Sequence, residues 1–143
     1  MGGYSIVYSG DTMPSEKLIA MGKKCDLLIH EATMEDELEA DARLKFHSTI
    51  SQAIEVAEKM EAKFTILTHF SQRYAKLPFM DERDFVNGNV GLAFDFMTVC
   101  PKSLHILPHI YPMLKCVYNE HYEILQGKNQ RYVDRKQGIS VKM

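Results

Sequence analysis

The sequence has little cysteine, no long apolar run and no strong excess of either charge. Its three cysteines, Cys25, Cys100 and Cys116, form neither an even framework nor a Cys-x-x-Cys pair. We therefore expect buried thiols in a reducing compartment rather than disulfides or a structural zinc knuckle. No segment approaches the ~18 consecutive apolar residues of a membrane span. The net charge of −2 argues against a protein that coats nucleic acid, so any such contact must come from a local basic patch.

The remaining composition is that of an ordinary globular domain. Of the 143 residues, 45% are hydrophobic and 25% are charged, which allows a real core and argues against a disordered or membrane protein. We find no internal repeat, low-complexity tract or convincing linker, and we therefore expect one structural unit. We place the domain at residues 1–126 and a polar, basic tail at residues 127–143, where loose order is expected.

Short apolar segments alternate with helical ones along the first half of the chain. Residues 4–9, 26–30 and 64–68 are predicted as buried strands because they are short, apolar and bounded by polar or turn-forming residues. Residues 15–22 and 35–45 are predicted as helices, and a third helix is predicted to begin at Thr49, which forms a capping-box pattern with Gln52. This alternation predicts an α/β fold with its chemistry on loops at one edge of the sheet.

The second half of the chain is less regular. Residues 92–99 are predicted as a further strand. Pro101, Pro108 and Pro112 interrupt the apolar stretch that follows, so we expect turns or short pieces there. His105 and His109 are four residues apart, but Pro108 interrupts any helix between them, which argues against a metal pair.

Residues suited to metal binding and proton transfer follow the predicted strands. The motifs are Ser9-Gly10-Asp11-Thr12, His30-Glu31-Ala32-Thr33, His47-Ser48-Thr49 and Thr68-His69-Phe70-Ser71-Gln72-Arg73-Tyr74. By residue type, Asp11 is a candidate carboxylate bridge between two metal ions, and His69 is a candidate zinc ligand. Taken singly, Asp11 could instead form a turn and His69 could be a hydrogen-bonded neighbour of the core. His30 is expected to brace its strand end rather than bind metal.

These four motifs, in this order, resemble the ribonuclease Z family of transfer-RNA 3′-processing endonucleases, and most closely its long eukaryotic form. The resemblance covers residues 4–100. It implies an α/β fold that is the C-terminal portion of a metallo-β-lactamase-type four-layer αββα sandwich. It also implies a zinc-dependent endoribonuclease that removes 3′ trailers from precursor transfer RNA.

The resemblance further implies a role for each site residue. Asp11 and His69 would be metal ligands, in a complete site that holds two Zn²⁺ ions. His47 and Glu31 would be the proton-handling pair, in which the carboxylate orients the imidazole. Substrate phosphate would be bound by Ser71 and Arg73, although Arg73 could equally be an ordinary surface residue.

One part of the family pattern has no counterpart before Tyr4. The family carries a His-x-His-x-Asp-His motif and a further ligand histidine upstream of the Gly-Asp-Thr strand. We therefore expect this chain to be inactive alone, and to need the N-terminal part of the catalytic domain or a second subunit. The expected partner is precursor transfer RNA and not a membrane, and the resemblance implies a nuclear or mitochondrial location inside the cell.

Two other functions remain open from the sequence. The chain could be a catalytically silent α/β module that serves interaction or regulation, which would fold without depending on zinc. It could also be a metallohydrolase that acts on another class of substrate, because a fold alone does not determine function.

Overall fold

The sheet consists of four parallel strands that lie side by side in sequence order. The computed structural model describes residues 3–72, 77–85 and 87–137. The strands are β1 (Ile6–Tyr8), β2 (Leu27–Glu31), β3 (Thr65–Thr68) and β4 (Val90–Leu92). β2 and β3 pair in parallel from Leu28↔Thr65 to Glu31↔Thr68. The predicted α/β class is confirmed, and the described residues form one sheet of the predicted sandwich.

Three helices precede β3, and the third begins directly after the predicted capping residue, Thr49. They are α1 (Glu16–Met21), α2 (Glu39–Leu44) and α3 (Ile50–Met60), and a 3₁₀ turn at Asp36–Leu38 leads into α2. The Thr49 hydroxyl accepts a hydrogen bond from the Gln52 amide, while the Gln52 side chain accepts one from the Thr49 amide. The capping box is therefore confirmed, and it fixes the loop that carries His47 against the start of α3.

Successive residues of β2 point to opposite faces of the sheet, and helices cover both faces. Leu28 packs in a cluster with Val56 and Met60 of α3. Leu27 packs on the other face, in a cluster with Leu104 and Leu107 from the second half of the chain. The sheet is thus enclosed around β2 and β3, which keeps the ends of these strands in place.

The first strand differs from its prediction because it is exposed rather than buried. The side chains of Ile6 and Tyr8 are 58% and 68% exposed. β1 pairs only with β2, so its other edge has no strand partner among the described residues. The prediction relied on apolar composition, which does not distinguish a central strand from an edge strand.

The fourth strand lies earlier than predicted. β4 spans Val90–Leu92 and shares only Leu92 with the predicted strand at residues 92–99. Its central residue is Gly91, which normally argues against a strand interior. A Cβ atom at Gly91 would lie 2.5 Å from the Cβ of Leu107, so the glycine is there because a helix packs directly on the strand.

The proline-rich segment forms a helix, contrary to the prediction of turns or short pieces. A 3₁₀ segment, Pro101–Ile106, continues into α4 (Leu107–Val117). Pro108 lies in the first turn of α4, where the fixed φ of proline suits a helix. Pro112 lies inside the helix and removes one hydrogen bond, but Leu107 and Tyr111 are buried, and this packing holds the helix.

The last helix, α5 (Asn119–Lys136), extends through most of the predicted tail. Tyr122 and Leu125 are buried and anchor it. The Tyr132 hydroxyl donates to the carbonyl of Asp36, at 3.0 Å, so the helix is also fixed beyond residue 127. Loose order is therefore wrong for residues 127–136, because polar residues on a helix need only a few anchored neighbours to be held.

The cysteines only partly match their prediction. Cys25 is buried, whereas Cys100 and Cys116 are exposed, and all three are free thiols. Among the described residues, no helix is both long enough and apolar enough to cross a bilayer.

Candidate metal centre

The candidate residues lie where three parallel strands end. Asp11 follows β1 after Gly10, whose φ of 60° allows the chain to turn sharply there. Glu31 is the last residue of β2, and His69 follows β3 directly. The carboxyl ends of parallel strands share one edge of a sheet, so the side chains meet there, as the sequence predicts.

One ligand atom from each of Asp11, His47 and His69 lies within 4.8 Å of the other two. The Nε2 atom of His69 is 3.7 Å from Oδ1 of Asp11. The rings of His47 and His69 are stacked, with centroids 5.4 Å apart. A carboxylate and two imidazoles are the donor set that zinc uses, so these side chains are suited to hold that ion.

His69 adopts a backbone conformation that is uncommon for a side chain of its size. Its φ is 61°, in the left-handed region. Such a conformation costs about 1–3 kcal/mol and persists only where the surroundings impose it. The conformation places the imidazole at the sheet edge, where its side chain is 48% exposed.

Glu31 is the buried centre of the site, with only 2% of its side chain exposed. Its carboxylate accepts five hydrogen bonds. Oε1 accepts from the amide of Thr12, from Nδ1 of His47 and from the amide of Ser48, at 2.9, 2.9 and 3.2 Å. Oε2 accepts from the amide and the hydroxyl of Thr33, at 3.0 and 2.7 Å. Donors from separate loops thus converge on one carboxylate.

These hydrogen bonds determine the charge of Glu31. Burial raises the pKa of its carboxyl, but the bonds from Thr33, Thr12 and His47 together outweigh burial, so the pKa lies below its usual value. The carboxylate is therefore ionised at neutral pH. Because the protein's own donors occupy its lone pairs, Glu31 orients its neighbours rather than binding a metal ion itself.

Three polar residues of the site were given no role from the sequence, namely Thr12, Thr33 and Ser48. Each belongs to one of the motifs that drew attention to the site. The Ser48 hydroxyl donates to the carbonyl of Thr12, at 2.7 Å, and so connects the loop after β1 to the loop before α3. Thr33 lies two residues after Glu31 in extended chain. Side chains at this spacing lie on the same side of the chain, so the sequence could have indicated that Thr33 lies beside Glu31.

The other residues considered from the sequence, Ser71, Arg73 and His30, do not belong to the group of candidate metal ligands. The Ser71 amide donates to the carbonyl of Thr33, at 3.0 Å, which holds the chain after β3 against the chain after β2. Arg73 lies outside the described residues. Nδ1 of His30 donates to the carbonyl of Glu31, at 2.6 Å, and the ring is fully buried on the strand, as expected for a bracing residue.

Comparisons with known proteins show to which family this chain belongs. Residues 1–70 match the family model described as a beta-lactamase superfamily domain. The rat protein "Zinc phosphodiesterase ELAC protein 2" is 50% identical over 129 residues, which cover 90% of this chain and 15% of the relative. The Drosophila melanogaster protein "Ribonuclease Z, mitochondrial" is 50% identical over 131 residues, which cover 92% of this chain and 17% of the relative. The chain belongs to the ribonuclease Z family.

Solved structures of ribonuclease Z proteins show the same relationship. The crystal structure of a long-form RNase Z from yeast has a TM-score of 0.70 and 44% identity, covering 79% of this chain and 15% of that one. The human short form matches with a TM-score of 0.52 and 35% identity, over 66% of this chain and 32% of that one. The chain spans about 15% of the length of the long relatives that it matches.

Proposed function

We propose that this chain forms part of the active site of a zinc-dependent endoribonuclease that removes 3′ trailers from precursor transfer RNA. The observation that carries the proposal is the group of Asp11, His47 and His69, whose ligand atoms lie within 4.8 Å of one another beside the buried Glu31. The names of the relatives, a zinc phosphodiesterase and a ribonuclease Z, support both the metal and the substrate.

In this proposal, Asp11 and His69 hold zinc, and zinc when bound stabilises the negative charge that develops on the phosphate oxygens during cleavage. The Glu31 carboxylate accepts a hydrogen bond from Nδ1 of His47, and this bond directs the other ring nitrogen, Nε2, toward the metal group. His47 then donates a proton to the departing ribose oxygen. Ser71 and Arg73 follow His69 in sequence and would bind the substrate phosphate.

The proposed site is incomplete within this chain. Two zinc ions need about four ligands each, and Asp11 and His69 supply only a part of them. The complete site would take its other ligands from another part of a longer protein or from a second subunit, and the chain alone would be inactive. The name of the Drosophila relative supports a mitochondrial location, and a nuclear one remains part of the proposal.

Zinc titration of the purified chain by isothermal calorimetry tests the metal group. Asp11→Ala and His69→Ala should each weaken binding at least ~10-fold, because each removes one of few ligands. His105→Ala is the matched control, since this exposed histidine lies on the 3₁₀ segment outside the group, and it should bind as the wild type does. Zinc binding that ignores both substitutions would favour a silent interaction module. Weak or undetectable binding by the wild type would instead show that ligands from outside this chain are essential.

The same titration separates the two possible roles of His47. If His47 is a proton donor, His47→Ala should retain most of the zinc affinity. A loss as large as that of His69→Ala would instead make His47 a metal ligand and overturn its proposed role in proton transfer.

A further inference from the structure

We propose that Thr33 is a positioning residue whose hydroxyl joins the two site histidines into one hydrogen-bonded chain, His69–Thr33–Glu31–His47, and thereby sets which ring nitrogen of His69 faces the metal site. This inference deepens the proposed function and rests on it for the role of His69 as a ligand. It concerns a residue to which neither the motif pattern nor the comparisons give a role.

The distances place the Thr33 hydroxyl at a junction. Its Oγ1 atom is 2.7 Å from Oε2 of Glu31, 2.7 Å from Nδ1 of His69 and 3.2 Å from Nδ1 of His47. A hydroxyl has one hydrogen to donate and two lone pairs with which to accept. With three neighbours, the hydroxyl can donate to only one of them, so its hydrogen bonds have a single consistent set of directions once Glu31 is known to accept.

Glu31 determines the direction of the chain. Backbone amides of Thr12, Thr33 and Ser48 all point at its carboxylate, and amides can only donate. The carboxylate is thus an acceptor throughout, and the Thr33 hydroxyl must donate its hydrogen to Oε2. Toward His69, the hydroxyl can then only accept, so Nδ1 of His69 carries a hydrogen.

This direction fixes the other nitrogen of each ring. With a hydrogen on Nδ1, the neutral His69 ring presents a bare Nε2 lone pair beside Oδ1 of Asp11, 3.7 Å away. His47 is fixed in the same way, because its Nδ1 donates to Oε1 of Glu31 at 2.9 Å. A neutral imidazole nitrogen is the form that binds zinc, so the buried carboxylate prepares the His69 ring as a ligand through Thr33 and orients the His47 ring directly.

The backbone of Thr33 is held independently of its hydroxyl. Its amide donates to Oε2 of Glu31, and its carbonyl accepts from the amide of Ser71. The residue is 6% exposed. Thr33→Val, which keeps the shape of the side chain and removes the hydroxyl, should therefore leave the loop in place. The same substitution should leave Nδ1 of His69 without a hydrogen-bond acceptor, whereas Nε2 would still have the carboxylate of Asp11 as its neighbour.

The direct test reads the tautomers by ¹⁵N NMR of the imidazole nitrogens in the zinc-free chain, at about pH 8, where histidine is ordinarily neutral. The wild type and Thr33→Ser should hold the His69 hydrogen on Nδ1. Thr33→Val should move it to Nε2, while His47 keeps its hydrogen on Nδ1. An unchanged His69 tautomer in Thr33→Val would overturn the proposal. Thr33→Ala also removes the hydroxyl and replaces the valine variant if that variant does not fold.

Calorimetric zinc titration supplies the second readout. Thr33→Val should weaken zinc binding about 10–100-fold, the usual effect of losing a residue that orients a metal ligand, and Thr33→Ser should restore it. Thr65→Val, at a buried threonine of β3, is the matched control and should bind as the wild type does. Zinc binding that Asp11→Ala and His69→Ala leave unchanged would contradict the proposed function, whereas the NMR result would still decide the role of Thr33.

Discussion

Nδ1 of His47 lies 2.9 Å from Oε1 of Glu31, although 16 residues separate the two positions in sequence. Glu31 ends a buried strand, and His47 precedes the capped start of α3. The contact therefore brings together a rigid strand end and a helix start. Because both elements are packed in the core, the imidazole is held in a fixed position.

Replacing Glu31 with glutamine should destabilise the chain. The glutamine amide group would direct N–H donors toward the amides of Thr12 and Ser48 or toward Thr33, in either orientation of the side chain. Leaving such buried donors unpaired should lower the free energy of unfolding by about 3 kcal/mol. Urea denaturation at neutral pH measures the change.

Glu55→Gln is the control for that experiment. Glu55 is exposed on α3 and pairs only with Lys59 among the contacts described for it, at 2.9 Å. Its loss should change the free energy of unfolding by less than about 0.5 kcal/mol. Equal stability of Glu31→Gln and the wild type would show that the carboxylate network is not needed for folding.

Protonation of His30 should make the stability of the chain depend on pH. Burial lowers the pKa of this ring, and its Nε2 has no hydrogen-bond partner among the described residues. The unfolded chain binds the proton near the ordinary value of about 6.5 and the folded chain only at lower pH. Stability should therefore be complete above about pH 6.5 and should fall as the pH drops below it.

Urea denaturation of the wild type and His30→Phe between about pH 5 and 8 measures this effect. The substitution keeps a buried ring and removes the titrating group. It should reduce the slope of stability against pH in that window, whatever it does to the stability itself. Parallel curves for the two proteins would show that His30 does not take up a proton differently in the folded and unfolded states.

Gly91→Ala should destabilise the contact between β4 and α4. The new Cβ atom would lie 2.5 Å from the Cβ of Leu107, so the strand and the helix must move apart. Overpacking of this kind costs about 1–3 kcal/mol, measurable by thermal or urea denaturation. At Gly127, in α5, an added Cβ meets nothing within 4 Å. Gly127→Ala should instead stabilise the chain by about 0.5–1 kcal/mol.

Tyr111→Phe should loosen the segment at residues 77–80. The buried Tyr111 hydroxyl accepts from the amide of Met80, at 2.9 Å, and donates to the carbonyl of Pro78, at 3.0 Å. Both backbone groups lose their partner in the variant, so the free energy of unfolding should fall by about 1–3 kcal/mol. Hydrogen exchange at the Met80 amide should also accelerate. Tyr8→Phe, at an exposed tyrosine of β1, should change neither quantity.

The features that were predicted correctly are determined by short stretches of sequence. The capping box needs only Thr49 and Gln52, which are three residues apart. The strand before His69 is apolar and ends at polar residues, so its position follows from local pattern alone. The meeting of Asp11, Glu31 and His69 at one edge followed from the parallel arrangement that such strands adopt.

The features that were missed depend on partners distant in sequence. Gly91 is acceptable inside β4 only because Leu107 leaves no room for a side chain. Pro112 is acceptable inside α4 because residues around it are buried by the rest of the fold. Thr33 contacts His69 across 36 residues, a relationship that no local pattern contains. Secondary-structure propensity is a weak constraint where such tertiary contacts act.

Because donors from separate loops meet at Glu31, the site forms only when the chain is completely folded. The donors come from the end of β1, the end of β2 and the start of α3, which are joined only when all three elements have docked. A half-folded chain would still carry every ligand side chain but would hold them apart. Affinity for a cation should therefore vanish in a single step along a denaturation curve, together with the last of the native packing.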